Sequence, residues 1–140
     1  MNIYKFHMKN VIAYRDTIID AKADFNKLCP IIIYSKYGRI SWLSVNPNIL
    51  AETVRDIQMK GPEKMSVASI LIGTDNTEAF LVITTQNDGK TLYRFEIIEK
   101  KDGDISFKNM EFNLSEFNFA QTLKKQNPTD YSSDYNNMYR

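Results

Sequence analysis

His7 is the only histidine in the chain and Cys29 the only cysteine. A Ser–His or Cys–His nucleophile pair would therefore take its base from the extreme N-terminus, where a solvated side chain is the expectation. A zinc site would have to be assembled mostly from carboxylates, because the sequence contains neither an HExxH stretch nor paired CxxC spacing. No GxxxxGK[ST] loop or GxGxxG turn occurs, and five glycines leave little material for a phosphate cradle. Asp102-Gly103-Asp104 resembles the opening of a calcium loop, but the later ligand positions and the closing glutamate are wrong, so a hairpin turn is expected there. Cys29, beside Pro30, reads as a structural thiol. The expectation is a protein without catalytic residues, cofactor or metal.

Binding chemistry has more to work with. Tyr34, Lys36, Tyr37, Arg39 and Trp42 interleave aromatic rings with cations. Bases stack on rings while cations track phosphates in single-strand binders, and the same residue types anchor protein–protein hot spots. Asp16, Asp20 and Asp24 fall at i, i+4 and i+8, which on one helix makes an acidic ridge facing a basic partner or solvent. In the polar segment 127–140, Tyr131, Tyr135 and Tyr139 recur every four residues and share one side whether the segment is helical or extended. Asn, Asp and Ser alone bury too little apolar surface to offset ordering, so those tyrosines are the residues expected to dock on a subunit, a partner or the sheet itself.

The elements that position these groups follow from punctuation. Asn10 has the side chain of a helix cap, and Val11, Ile12, Ile18, Ile19, Phe25 and Leu28 form an apolar stripe that Pro30 ends. Ile31–Tyr34 and Ile40–Val45 are β-prone runs joined around Gly38, a hairpin. Asn46 and Pro47 open a second helix with Leu50, Val54 and Ile57 inward, closed by Gly61-Pro62. Met65–Val67 reads as a turn before the strand 68–73, and strands over 79–85, 92–99 and 105–112 complete a meander with turns at Asn87–Lys90 and Asp102–Asp104. The doubly apolar run Ala79–Ile83 belongs at the sheet centre. Asn113 and Glu116 fit a capping box that opens a third helix with Leu114, Phe117, Ala120 and Leu123 inward, ended by Asn127-Pro128.

The fold class expected is α+β: an antiparallel sheet, hairpin plus four-stranded meander, packed against two to three helices. At 140 residues one domain is the default, over residues 1–126 with the tail after it. Eighteen basic and seventeen acidic residues give no global steering toward nucleic acid, and the split between residues 1–75 (10 basic, 7 acidic) and the remainder (8 and 10) is mild. No apolar run reaches bilayer length and Met1–Asn10 lacks a signal-peptide core, so the expected setting is cytoplasmic, away from membranes. Asn, Ile, Lys, Tyr and Phe are over-represented and all have AT-rich codons, as in a phage or mobile element. The reading is a non-catalytic protein-binding or assembly module, or a small inhibitor or immunity-type protein, acting on a protein partner or as a homo-oligomer. The alternative is a single-strand nucleic-acid binder, which the charge disfavours.

Overall fold

Tyr37 and Gly38 both take left-handed backbone angles, φ 54° and 75°, the conformation of the two-residue turns that match strand twist. They join β1 (Ile31–Lys36) to β2 (Arg39–Ser44). The computed structural model describes residues 1–111. Asp102 and Gly103, at φ 53° and 84°, make the same kind of turn between β5 (Thr91–Lys101) and β6 (Asp104–Met110). Between these hairpins run β3 (Lys64–Ile72) and β4 (Glu78–Gln86). All six strands form one antiparallel sheet in the order β2-β1-β3-β4-β5-β6. The expected hairpin and meander are thus fused by the pairing of β1 with β3, in which Ile33 faces Ser66. The doubly apolar β4 is an interior strand, as its composition requires.

Two α-helices lie among the described residues, α1 (Ile3–Asp20) and α2 (Leu50–Met59). The third expected helix and the tyrosine tail lie outside the described residues. The start of α1 corrects the sequence reading: its cap is Asn2, whose side chain accepts from the Lys5 amide at 2.9 Å, and Asn10 is buried in mid-helix. Ile3, Phe6 and His7 supply the reason, because their burial outweighs the capping preference of Asn10. Ile12 and Ile19, expected inside, are exposed, since the earlier start places the buried stripe on Phe6, His7, Asn10, Val11, Tyr14 and Ile18. The helix also ends sooner than expected. Lys22 and Ala23 both have φ 53°, which closes it after Asp20, and Phe25–Lys27 is a separate 3-10 turn.

α1 crosses the sheet centre, chiefly over β3 and β4. Val11, Tyr14 and Ile18 bury against Ala68, Ile70, Phe80, Val82 and Ile98. The Tyr14 and Phe80 rings sit 5.6 Å apart and tilted, and Phe107 meets Phe80 edge-on at 5.7 Å. α2 packs on the opposite face, where Ile57, with Leu50 and Val54 beside it, joins Ile32, Val45 and Met65. Its entry follows the sequence closely: Asn46 accepts from the Asn48 amide, Pro47–Ile49 makes a 3-10 turn, and Gly61 at φ 65° closes the exit. Met65–Val67, expected as a turn, belongs to β3, because each residue pairs on both sides, with β1 and with β4.

Candidate interaction surface

The first hairpin is held rigidly at its tip. The Lys36 ammonium donates to the carbonyl of Lys60 at the end of α2, where a cation also offsets the helix dipole. The Tyr37 amide donates to Glu63 Oε1 at 2.7 Å, and the Glu63 amide donates to the Ser35 carbonyl at 2.9 Å. Lys36 Nζ also lies 5.4 Å from the Tyr37 ring centre, leaving that ring 85% exposed. The tip is therefore pre-organised.

Strand alternation divides the five aromatic and basic residues. Trp42 pairs with Ile33 and stands on the α1 face, where Lys9 Nζ sits 6.0 Å from its ring centre. Tyr34, one position on from Ile33, faces the α2 side and packs half-buried against the Ile32 and Met65 group. Tyr37 and Arg39 stand exposed at the tip. The hairpin thus brings Lys36, Tyr37 and Arg39 together, but it puts Tyr34 and Trp42 on opposite faces. What the residue types alone did not reveal is the position of β2. Among the described residues it is an edge strand of the sheet, and Ile40, Trp42 and Leu43 are all exposed on it. The signal available in the sequence was the apolar content of both faces of Ile40–Val45 without a second neighbour strand to cover it.

The acidic residues separate as well. Asp16 and Asp20 are exposed on the last turns of α1, whereas Asp24 follows the helix and accepts from the Asn26 amide at 3.0 Å. The three carboxylates do not stack on one helix. The segments Tyr131, Tyr135 and Tyr139 occupy lie outside the described residues.

Two buried polar groups were missed at the sequence level. His7, expected in solvent, is 4% exposed. Its Nδ1 is hydrogen-bonded to Thr84 Oγ1 at 2.6 Å, and Thr84 Oγ1 is hydrogen-bonded in turn to Ser66 Oγ at 2.8 Å. Asn10 Nδ2 also donates to Ser66 Oγ, at 3.0 Å. Burial, and after it the positive charge of Arg94, lowers the His7 pKa below its ordinary 6.5. Glu96 is fully buried between Arg15 and Arg94, with Nε of each at 2.7 Å from a carboxylate oxygen and a second Arg15 nitrogen on Oε2. Burial pushes that carboxyl up, but the two arginine hydrogen bonds and charges together hold it below its ordinary value. Alternating strand positions 94, 96 and 98 hinted at an inward charge, but Arg15 lies 81 residues away in sequence.

Among the described residues no group of three or more His, Cys, Asp or Glu side chains is placed to hold a metal ion, and Cys29 is partly exposed. No described helix is long and apolar enough to cross a membrane. An open cleft of about 290 Å³ lies between the end of α2 and the β4–β5 turn, lined by Gln58, Pro62, Met65, Thr85 and Asn87, residues suited to contact and not to proton transfer. In comparisons with known proteins, no family, no curated protein and no solved structure matches the chain.

Proposed function

We propose that this chain is a non-catalytic protein-binding module that engages its partner through β2, by addition of a partner strand to the sheet edge. One observation carries the reading: β2 is an edge strand on which Ile40, Trp42 and Leu43 stay exposed. Edge strands of freestanding domains are ordinarily blunted by proline, a bulge or charges along their length. β2 has one charge, Arg39 beside the turn, and none between Ile40 and Ser44, whereas the opposite edge, β6, carries Lys108 within the strand as well as Asp104 beside its turn. A docked strand would satisfy the outer backbone groups of β2, while Trp42 and Leu43 give each face of the extended sheet an apolar anchor. The clamped tip, with exposed Tyr37 and Arg39, borders that site and contributes a polar rim. An assembly component and a small inhibitor of one macromolecule both act this way, and the AT-rich composition fits a phage or mobile element.

The test is hydrogen exchange on the full chain, alone and bound to a partner captured from its source. Protection of the β2 amides on binding is the expected result. Protection elsewhere with β2 unchanged overturns the reading.

A second reading, single-strand nucleic-acid binding, draws on one observation of its own. Lys36, Arg39, Lys60, Lys64 and Lys90 converge at the sheet end that also holds Tyr37, with Glu63 and Asp88 opposing them. Oligonucleotide titration separates the two readings, because phosphate binding weakens with salt at a log–log slope of about −0.7 per contact. The protein-binding reading expects no submicromolar binding at physiological salt.

A further inference from the structure

The outer edge of β2 is complementary to itself. Its two-residue turn closes on the pair Lys36 and Arg39, and at the far end the Val45 amide donates to the Pro30 carbonyl at 2.9 Å. Arg39, Ser41, Leu43 and Val45 therefore direct their backbone groups at β1, and the N–H and C=O of Ile40, Trp42 and Ser44 point outward. The side chains of these three share the α1 face, while Ser41 and Leu43 stand on the α2 face.

A second β2 laid antiparallel about a two-fold axis at Trp42 sets Trp42 opposite Trp42, Ile40 opposite Ser44 and Ser41 opposite Leu43. Trp42 with itself and Ile40 with Ser44 become the pairs that exchange hydrogen bonds, so every outward backbone group of the strand finds a partner. A large side chain meets a small one at each flanking position, and the two Trp42 residues face each other with their α-carbons about 5.5 Å apart. Other registers lose this fit. An axis at Ser41 sets Ile40 against Trp42 and leaves Ser44 facing the turn, and an axis at Leu43 puts Ile40 beyond the end of the partner strand. The charges agree with the Trp42 register: Arg39 falls at opposite ends of the pair, about 20 Å from its copy at roughly 3.4 Å per residue, beyond a screening length of about 8 Å.

We propose that the occupant of the β2 edge is a second copy of this chain, paired strand to strand about Trp42 into one continuous sheet. The inference rests on the β2 reading above and names its partner. Lys9 opposes the pairing, since its ammonium lies 6.0 Å from the Trp42 ring centre and two such cations flank the axis. The dimer should therefore tighten as salt rises, the reverse of phosphate binding.

The experiment joins sedimentation velocity with amide exchange and nuclear Overhauser spectroscopy on the full chain, mixed from two isotope labels. A concentration-dependent dimer is expected. In it the Ile40, Trp42 and Ser44 amides gain protection, the Ser41 and Leu43 amides do not change, and the α-protons of Ser41 and Leu43 show contacts between differently labelled molecules. Trp42→Lys should weaken the association at least about tenfold. Tyr93→Lys, at a site 61% exposed on β5, should leave it unchanged. A chain that stays monomeric at millimolar concentration, a dimer whose Ile40, Trp42 and Ser44 amides exchange as in the monomer, or equal losses from both variants overturns the inference. A monomer whose β2 amides are protected by a captured partner of another sequence removes the second copy and keeps the β2 reading. A dimer and a captured partner that both leave β2 unprotected remove the two together.

Discussion

At the scale of single residues, His7 and Glu96 give the molecule two separate responses to acid. The folded state disfavours the His7 cation, so its folded pKa lies below the unfolded 6.5. The stability tied to neutral His7 is complete above pH 6.5 and is lost as pH falls from there through the depressed folded value, because the unfolded chain binds the proton first. Glu96 has the same sign at lower pH: its contribution is present above 4.5 and lost as pH falls through its own lowered value. Urea midpoints at closely spaced pH values should show both steps. His7→Gln should abolish the upper one and leave the lower. Glu96→Gln, which leaves Arg15 and Arg94 without their carboxylate, should cost about 3 kcal/mol and abolish the lower step. Unchanged profiles in either variant would remove the assignment. His7→Ala should cost about 2 kcal/mol through the lost hydrogen bond to Thr84 and the cavity left by the buried imidazole, while leaving partner binding intact in the folded protein. Partner binding that disappears in folded His7→Ala would give that imidazole a functional role.

Elements differ in how much of them the sequence disclosed, and β2 shows both sides. Its strand character was legible from Ile40–Val45 and its turn from Gly38, because turn chemistry and alternation are local. Its position at an edge was not, since that depends on β1 pairing with β3 across the whole of α2. The same division holds elsewhere. Asn46, Pro47 and Gly61 disclosed the limits of α2 because caps act within a few residues. Asn10 misled for α1 because its amide hydrogen-bonds to Ser66, a partner that no local pattern reveals. The candidate surface divided likewise: residue types pointed to the hairpin, but which face Trp42 and Tyr34 occupy rests on register. The β2 reading makes a direct prediction. Because Trp42 is 45% exposed, Trp42→Lys should change the unfolding free energy by less than about 1 kcal/mol. It should weaken partner binding at least tenfold, about 1.4 kcal/mol. Titration calorimetry with the captured partner reads the second effect and thermal melts the first, and unimpaired binding would move the site off β2.

For the whole molecule, the arrangement separates stability from recognition. The α1 core over β3 and β4 and the α2 core over β1 and β3 lie on opposite faces of one sheet. β2 at the edge and the clamped tip contribute little to either core apart from Tyr34. Changes at the recognition surface should therefore leave the melting temperature nearly fixed, and changes under α1 should do the reverse. The polar segment 127–140 lies outside the described residues, and recognition is the role its composition leads one to expect. Its tyrosines, Tyr131, Tyr135 and Tyr139, share one side at their spacing, and each carries on the order of 150 Å² of surface suited to a contact that is apolar at its base and polar at its tip. Truncation after Gln126 should leave the melting temperature within about 2 °C of the full chain, since surface changes away from a core seldom exceed about 0.5 kcal/mol. Partner binding should weaken severalfold, and the triple variant Tyr131→Ser, Tyr135→Ser, Tyr139→Ser should reproduce most of that loss with the segment's length and charge preserved. A truncated chain that binds as tightly as the full one would confine recognition to β2 and the hairpin tip, and a truncated chain that melts many degrees lower would make the tyrosines part of the fold.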